Sequence, residues 1–242
     1  MKIRGDGRAK TELRKIKITP HFMKFAEGSC LFEIGNTKVV CTASVEEGVP
    51  KFLRGRGTGW ITAEYGMLPR SCKTRVMREA AKGKPGGRTQ EIQRLVGRSM
   101  RAVCDMKKLG ERTIRMDADV IQADGGTRSA SITGCFVALA LALKKLKKEK
   151  IFDKIPLSDY LGAISAGIVD DKELLDLDYS EDSRAGVDMN IVMTRRGALV
   201  EVQGTAEGEP FSATRMNKLI KLAEKGLKKI FPLQKNILKL KT

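Results

Sequence analysis

The segment from Ser129 to Leu146 constrains the fold of this 242-residue chain more than any other. Its side chains are apolar nearly all round a helical wheel, which is typical of a helix that is buried on most sides. Just before it, residues from Thr113 to Val120 alternate between apolar and mostly charged side chains, and this period predicts a half-buried strand. A strand followed by such a helix requires layers of structure on both sides of the helix.

Strands and helices recur in a similar order in the two halves of the chain. Leu31 to Ile34 and Lys38 to Thr42 flank Gly35-Asn36 and predict a β-hairpin. The other predicted elements are strands at Thr58 to Tyr65, Leu161 to Val169 and Leu174 to Leu177, a second hairpin across Met189 to Gln203, and helices from Thr89 to a stop at Gly110 and from about Ser212. This order indicates an α/β or α+β fold. No Pro- or Ser-rich linker divides the chain, so we predict a single domain, 1–242.

The composition excludes several classes of protein. With 41% hydrophobic residues, the chain is not a disordered tail. Five cysteines without a Cys-x-x-Cys pair, together with a single histidine, argue against a zinc site and favour reduced thiols in a cytoplasm. The longest apolar run, Cys135 to Leu143, is far shorter than the ~20 residues that cross a bilayer. We therefore expect a cytoplasmic protein with no membrane partner.

Charge is distributed unevenly along the chain, whose net charge is +17. The window from Lys51 to Arg115 contains 17 basic and 5 acidic residues, and Met216 to Thr242 has a net charge of +7. Asp170 to Asp188 instead has a net charge of −6. Basic surfaces attract polyanions, so nucleic acid is the first candidate partner, and the acidic segment suggests a divalent cation near phosphate. The alternative for each basic run is a solvated face.

Two glycine-rich turns precede predicted helices and resemble each other. Asp124-Gly125-Gly126-Thr127-Arg128-Ser129 leads into the buried helix, and Gly86-Gly87-Arg88-Thr89 opens the preceding one. Such turns let backbone N–H groups approach an anion at the positive end of a helix, so the two turns could converge on one phosphate. The alternative for the first turn is a simple cap with Ser129 or Thr127 at the N-cap position. Arginines further along the earlier helix could extend the basic path or be ion-paired at the surface; they are Arg94, Arg98 and Arg101.

Asp182 and Asp188 are the acidic candidates for chemistry, and we expect neither to lie on a helix face. They are separated by six positions around a Gly-containing turn, just before the strand predicted to begin at Met189. Two carboxylates brought together there would offer oxygen ligands to Mg²⁺, or one acid that protonates a leaving oxygen. The alternative is a polar loop stabilised by an Asx-turn.

An ordered series of motifs resembles the ribonuclease PH family of the bacterial type and spans almost the whole chain. The motifs are Arg4-Gly5-Asp6-Gly7-Arg8, Gly59-Trp60-Ile61-Thr62-Ala63-Glu64-Tyr65, Gly87-Arg88-Thr89, Asp119 to Arg128, Glu181-Asp182-Ser183, Val187-Asp188-Met189-Asn190 and Gln203-Gly204-Thr205. The resemblance implies an α+β ribonuclease PH domain fold, with two β-α modules and a left-handed crossover. It also implies assembly as a homo-hexamer, a trimer of dimers.

The resemblance further implies an activity and roles for individual residues. The activity is phosphorolytic trimming of RNA 3′ ends, such as those of tRNA precursors, with inorganic phosphate as co-substrate. Phosphate would be bound by Arg88, Gly126, Thr127 and Arg128, while Asp182 and Asp188 would hold Mg²⁺ or supply acid catalysis; the candidate RNA contacts are Arg70, Arg75, Arg78, Arg94 and Arg98. The loop from Arg70 to Lys84 would either contact RNA or pack against another subunit.

Two alternatives of other classes remain. One is a non-catalytic RNA-binding ring subunit of an exosome-like assembly, and the other is a basic ribosome-associated binding protein. The presence of every expected catalytic side chain disfavours the first alternative. The second predicts no dependence on inorganic phosphate.

Overall fold

A computed structural model describes residues 4–240 and confirms a mixed α+β fold with two sheets. The first three and last two residues of the predicted domain lie outside this range. The helices are α1 (Gly87–Val103), α2 (Met106–Leu109), α3 (Thr127–Lys148), α4 (Tyr179–Asp182) and α5 (Ala213–Leu238). Single 3-10 turns lie at Lys51–Leu53 and Glu79–Lys82.

The first sheet has five strands in the order β1-β2-β3-β5-β4. Their bounds are β1 (Ile16–Pro20), β2 (Gly28–Ile34), β3 (Thr37–Glu47), β4 (Trp60–Met67) and β5 (Arg112–Gln122). The predicted first hairpin is confirmed as β2 and β3, and of its two turn residues only Gly35 has a positive φ. The β4 and β5 strands are parallel neighbours, so the chain crosses over between them through α1 and α2. The left-handed sense of this crossover stays a prediction.

The second sheet has four antiparallel strands in the order β7-β6-β8-β9. Their bounds are β6 (Leu161–Val169), β7 (Lys172–Leu175), β8 (Val187–Thr194) and β9 (Leu199–Ala206). The predicted second hairpin is confirmed as β8 and β9, and Gly197 in its turn has a φ of +88°. Ser212 caps the last helix by accepting a hydrogen bond from the N–H of Arg215.

The α3 helix lies in the core, as its all-round apolar sequence predicts. It packs on β2 and β3 of the first sheet and on β6 of the second. A Cβ atom at Gly28 would lie 2.0 Å from the carbonyl oxygen of Ala138, so glycine is what permits the close approach of β2 to the helix. By length and hydropathy α3 would suffice to cross a membrane, but 89% of its apolar window is buried inside the protein. Its hydropathy is therefore explained by its position in the core.

Two predicted elements extend beyond their observed C-terminal ends. The helix predicted to reach Gly110 ends at Val103, because Cys104 forms a β-bridge with Leu157 and Asp105 starts α2 by accepting hydrogen bonds from two backbone N–H groups. Gly110, with a φ of +69°, instead ends α2. The strand predicted at Leu174 to Leu177 ends at Leu175, because Asp176 adopts a φ of +55°.

Candidate functional site

The two glycine-rich turns start helices whose first N–H groups are left without a side-chain cap. Gly86 is the N-cap of α1, and Gly126, with a φ of +68°, is the N-cap of α3. The alternative in which Ser129 or Thr127 caps α3 was wrong, because Thr127 is already helical and the hydroxyl of Ser129 donates to the carbonyl of Gly126. Uncapped N–H groups at a helix start are available to an anion.

Gly125 brings the turn before α3 into direct backbone contact with the segment that leads into α4. Its φ is +77°, and a Cβ atom there would lie 2.6–2.7 Å from backbone atoms of Leu177, Asp178 and Tyr179. No real Cβ atom tolerates such contacts, so only glycine fits. This contact places the start of α3 beside the segment that leads into Asp182.

A buried ion pair that sequence reasoning missed supports the same turn. The Arg14 guanidinium donates to the carbonyl of Asp124 at 2.5 Å and to the carboxylate of Asp176 at 2.7 Å. The hydroxyl of Thr37 donates to the carbonyl of Gly125 at 2.7 Å. Burial opposes the charge on Arg14, but Asp176 outweighs it and holds the pKa of Arg14 above its ordinary value. These residues position the turn, and no motif in a single sequence marks them.

One small pocket brings together all the predicted phosphate and acidic residues. Its volume is about 40 Å³, and it is lined by Arg88, Gly126, Thr127, Arg128, Ser165, Asp182, Asp188 and Asn190. This volume has room for a few water molecules, which suits a small inorganic anion. The sequence had singled out six of the eight lining residues and missed Ser165 and Asn190.

The basic side of the pocket contains donors that have no hydrogen-bond acceptor among residues 4–240. The Arg128 side chain is 15% exposed, its Nη2 atom lies 3.6 Å from a carboxylate oxygen of Glu91, and its Nε atom is buried without a hydrogen-bond partner in the described chain. The phenol of Tyr65 donates to the Thr127 hydroxyl at 3.1 Å. Because Thr127 accepts this bond, its own hydroxyl hydrogen remains free to donate into the pocket.

The two carboxylates come from different kinds of element, contrary to expectation for Asp182. Asp182 is the last residue of α4, whereas Asp188 lies in β8. Within the α4 turn, Asp178 and Glu181 form a capping box, and the buried Glu181 side chain is ion-paired with Arg4. The position of Asp182 therefore depends on the N-terminal segment of the chain.

Both carboxylates have a raised pKa. Burial raises the pKa of Asp182, although Arg88 and Arg128 oppose this shift. Burial and the neighbouring Asp182 together raise the pKa of Asp188 to about 6, against the effects of Arg128 and of a hydrogen bond from Asn190. Carboxylates with such shifts are typical of functional sites.

Most of the acidic segment has a structural role instead of binding a cation. Among its eight acidic residues, six form ion pairs with arginines in the described chain, and the exceptions are Asp182 and Asp188. The paired residues are Asp170, Asp171, Glu173, Asp176, Asp178 and Glu181. The two unpaired carboxylates are the ones that line the pocket.

The pocket lining does not include the arginines predicted to contact RNA. Arg70, Arg75 and Arg78 are exposed on the loop after β4. Arg94 and Arg98 are exposed on α1 and line a second cavity of about 320 Å³, next to Arg88 along the same helix. Their assignment as RNA contacts stays a prediction.

The acidic side of the pocket offers few protein ligands to a metal ion. Among residues 4–240, no group of three or more His, Cys, Asp and Glu side chains is arranged to hold one. Two carboxylates and the Asn190 amide nevertheless suit Mg²⁺, which commonly uses one or two carboxylates and takes its other ligands from substrate phosphates and water.

Comparisons with known proteins agree with this geometry. Family models described as the 3′ exoribonuclease family, domain 1 and domain 2, match residues 12–145 and 159–226. The chain is 58% identical over 231 residues to a ribonuclease PH from Neisseria meningitidis serogroup B, covering 96% of both chains. It is 55% identical over 235 residues to a ribonuclease PH from Syntrophomonas wolfei, covering 97% of this chain and 98% of the relative.

Two solved structures share the fold at low sequence identity. Rice Rrp46 has a TM-score of 0.79 at 20% identity, covering 98% of this chain and all of the other. A chain of an Archaeoglobus fulgidus exosome, solved with RNA bound to the active site, has a TM-score of 0.79 at 23% identity, covering 95% of this chain and 91% of the other. The extent and identity of the sequence matches show that the chain belongs to the ribonuclease PH family of 3′ exoribonucleases.

Proposed function

We propose that the pocket between the two glycine-rich turns and the Asp182–Asp188 pair is the active site of a phosphorolytic 3′-to-5′ exoribonuclease. One observation carries this assignment: two helix starts, two arginines and the two unpaired carboxylates face a single cavity the size of a small anion. Basic groups bind the attacking phosphate, and the acidic pair faces the RNA end that it attacks.

Inorganic phosphate is held by groups from both turns. Arg88 and Arg128 neutralise its charge, the N–H groups at the start of α3 donate to its oxygens, and the free hydrogen of Thr127 adds one more bond. Glu91, beside Arg128, keeps that guanidinium oriented in the absence of substrate. The N–H groups of α3 and the Arg128 guanidinium are in place before phosphate arrives, so catalysis does not require these donors to reorganise.

Phosphorolysis then needs the alignment of two anions. A phosphate oxygen attacks the phosphorus of the last phosphodiester, and the bond from that phosphorus to the 3′ oxygen of the preceding nucleotide breaks. The products are a nucleoside diphosphate and an RNA one nucleotide shorter. The leaving 3′ oxygen requires a proton, which Asp188 supplies when the acidic pair holds no metal ion; its pKa of about 6 lets it keep a proton more readily than an ordinary carboxyl.

Mg²⁺ is the proposed cofactor. Asp182 and Asp188, with the Asn190 amide, would hold it, and when bound it would neutralise phosphate charge in the transition state. Titration with Mg²⁺ tests this assignment: Asp182→Asn and Asp188→Asn should each require more Mg²⁺ for half-maximal activity. An unchanged requirement in both variants would refute it.

We further propose that the RNA is a tRNA precursor in the cytoplasm and that exposed arginines contact its body. Arg70 and Arg98 represent the two groups, one on the loop and one on α1. Replacing a residue that contacts a phosphate should flatten the slope of log affinity against log salt by about 0.7 to 0.9. If Arg70 instead packs against a neighbouring subunit, its replacement should yield smaller particles in sedimentation.

The assembly is proposed to be a homo-hexamer built as a trimer of dimers. Large apolar side chains at the surface support an assembled state, among them Phe25, which is 88% exposed, and Phe52, which is 59% exposed. Sedimentation equilibrium should give six times the 26.7 kDa mass of the chain. A stable monomer would contradict the proposal.

Arg128→Ala provides the direct test of the active-site assignment. The variant should lose about 100-fold or more in phosphate-dependent release of nucleoside diphosphates from a 3′-extended RNA, because a preorganised charge in the pocket is missing. RNA affinity should change little. Arg115→Ala, which removes an exposed arginine paired with Glu46, is the matched control and should retain full activity.

The same assay separates the alternatives. A non-catalytic ring subunit or a ribosome-associated protein would bind RNA but release no nucleoside diphosphates from it in the presence of phosphate. If Arg128→Ala released them at the parental rate, the pocket assignment would be refuted even though the family remains established.

A further inference from the structure

A cavity unrelated to the phosphate pocket lies at the other end of the core helix. Its volume is about 770 Å³. Lysines dominate its wall and three aliphatic side chains complete it; the lining residues are Lys108, Lys144, Lys147, Lys148, Lys154, Lys239, Ile155, Leu157 and Leu240. We refer to it as the lysine cavity. No acidic side chain belongs to the lining that residues 4–240 provide.

The lysine cavity is remote from the active site. The α3 helix starts at the phosphate pocket with Thr127 and contributes Lys144, Lys147 and Lys148 to the cavity in its last turns. At 1.5 Å per residue, a helix of 22 residues is about 33 Å long. The two sites are therefore separated by the thickness of the core.

The structural roles of lysines at a helix end account for only part of the cluster. Lysines near a helix C-terminus favourably offset its dipole, and the Lys144 ammonium donates to the carbonyl of Leu238 at 2.9 Å. Lys108 lies 3.3 Å from Asp105. The remaining four have no carboxylate within 4.0 Å among residues 4–240; they are Lys147, Lys148, Lys154 and Lys239.

The chemistry of the wall defines the class of ligand. Several ammonium groups around one concave surface repel one another, and a polyanion would relieve this repulsion. Neither arginine nor an aromatic ring belongs to the lining, so the cavity lacks groups that stack on bases or read planar acceptors. Lysines recognise phosphates as point charges.

We propose that the lysine cavity binds the phosphodiester backbone of the RNA whose 3′ end occupies the active site. This inference rests on the proposed function. A strand whose bases remain stacked rises about 3.4 Å per nucleotide, so about ten stacked nucleotides cover the distance between the two sites. The cavity thus favours longer RNAs over short oligonucleotides without reading their sequence.

The test compares a short RNA with a long one. In the full-length protein, Lys147→Gln, Lys148→Gln and Lys154→Gln are combined, while Lys144 is retained because of its bond to Leu238. The affinity for a single-stranded 25-mer at low salt should fall about tenfold, and the slope of log affinity against log salt should flatten by about 2, at roughly 0.7 per phosphate. A 5-mer cannot span the sites, so its affinity and its rate of phosphorolysis should be unchanged.

Two matched variants control for charge and for folding. Lys218→Gln, Lys221→Gln and Lys225→Gln remove three exposed lysines of α5 that do not line the cavity, and this triple variant should change the slope for the 25-mer by less than half as much. Replacing Lys147, Lys148 and Lys154 by arginine should preserve the affinity for the 25-mer.

Three outcomes would overturn the proposal. If the α5 variant lost as much affinity for the 25-mer as the cavity variant, RNA would be attracted by the overall charge of the protein and not by a site. If the cavity variant lost as much affinity for the 5-mer as for the 25-mer, the substitutions would have disturbed the active site. A third measurement is chemical acylation of the cavity lysines. If inorganic tripolyphosphate protects them from acylation and the 25-mer does not, the ligand is a free polyphosphate. Phosphorolysis of the 5-mer by the parental protein reports separately on the proposed function.

Discussion

At the scale of single residues, the raised pKa of Asp188 makes the folded protein less stable at neutral pH. This pKa is raised to about 6, first by burial and then by Asp182. A carboxyl that holds its proton more tightly in the folded state than in the unfolded chain makes the folded state less stable as the pH rises from about 4 to about 6. This difference in the pKa of Asp188 corresponds to a loss of roughly 3 kcal/mol in the free energy of unfolding.

Asp188→Asn should therefore stabilise the protein while reducing its activity. In phosphate-free buffer with a chelator, its melting temperature should exceed that of the parent by several degrees at pH 7.5 and equal it near pH 4. Asp153→Asn, at an exposed position, is the control and should have no effect. A parental melting temperature at pH 7.5 would contradict the destabilising role of Asp188.

The residues proposed to contact substrate were more predictable than the residues that hold them in place. Arg88, Thr127 and Arg128 are contiguous with glycine-rich turns, and such turns have a physical meaning in a single sequence. Ser165 and Asn190 lie within strands whose patterns indicate only burial. Arg14 and Asp176 are 162 positions apart, and nothing local to either residue indicates that they meet.

At the scale of elements, the glycine turn before α3 packs against the segment that leads into α4. Its conformation needs a positive φ, and its contact with Leu177 to Tyr179 leaves no room for a side chain. The sequence predicted the turn from its Asp-Gly-Gly motif. It did not predict the contact, because that depends on how α4 packs against the turn.

A comparison of Gly125→Ala with Gly197→Ala separates the effect of the positive φ from the effect of the close backbone contact. Both positions have a positive φ, +77° and +88°, but a Cβ atom at Gly197 meets nothing within 4 Å. Gly197→Ala should cost about 1 kcal/mol of unfolding free energy for its backbone conformation. Gly125→Ala should cost more than about 3 kcal/mol, because backbone must also move. Equal costs in urea unfolding would contradict the close contact of the modules.

At the scale of the whole molecule, the order of elements was predictable, but strand partners were predictable only within the two hairpins. The all-round apolar pattern predicted that α3 is central, and the period-2 pattern predicted β5. The other strand pairings, among them the parallel pairing of β4 with β5, depend on contacts between distant segments. One hydrophobic cluster includes residues of both sheets, and on this basis we propose that both family domains fold as one unit.

The central claim is that inorganic phosphate bound between Arg88 and Arg128 attacks the RNA end. Incubation of unlabelled 3′-extended RNA with radiolabelled inorganic phosphate tests it most directly. We expect each nucleoside diphosphate released by the parental protein to contain one labelled phosphate, as its β-phosphate. The Arg128→Ala variant should incorporate almost no label. Release of unlabelled nucleoside monophosphates at a rate independent of phosphate would show that water is the nucleophile and would contradict the account.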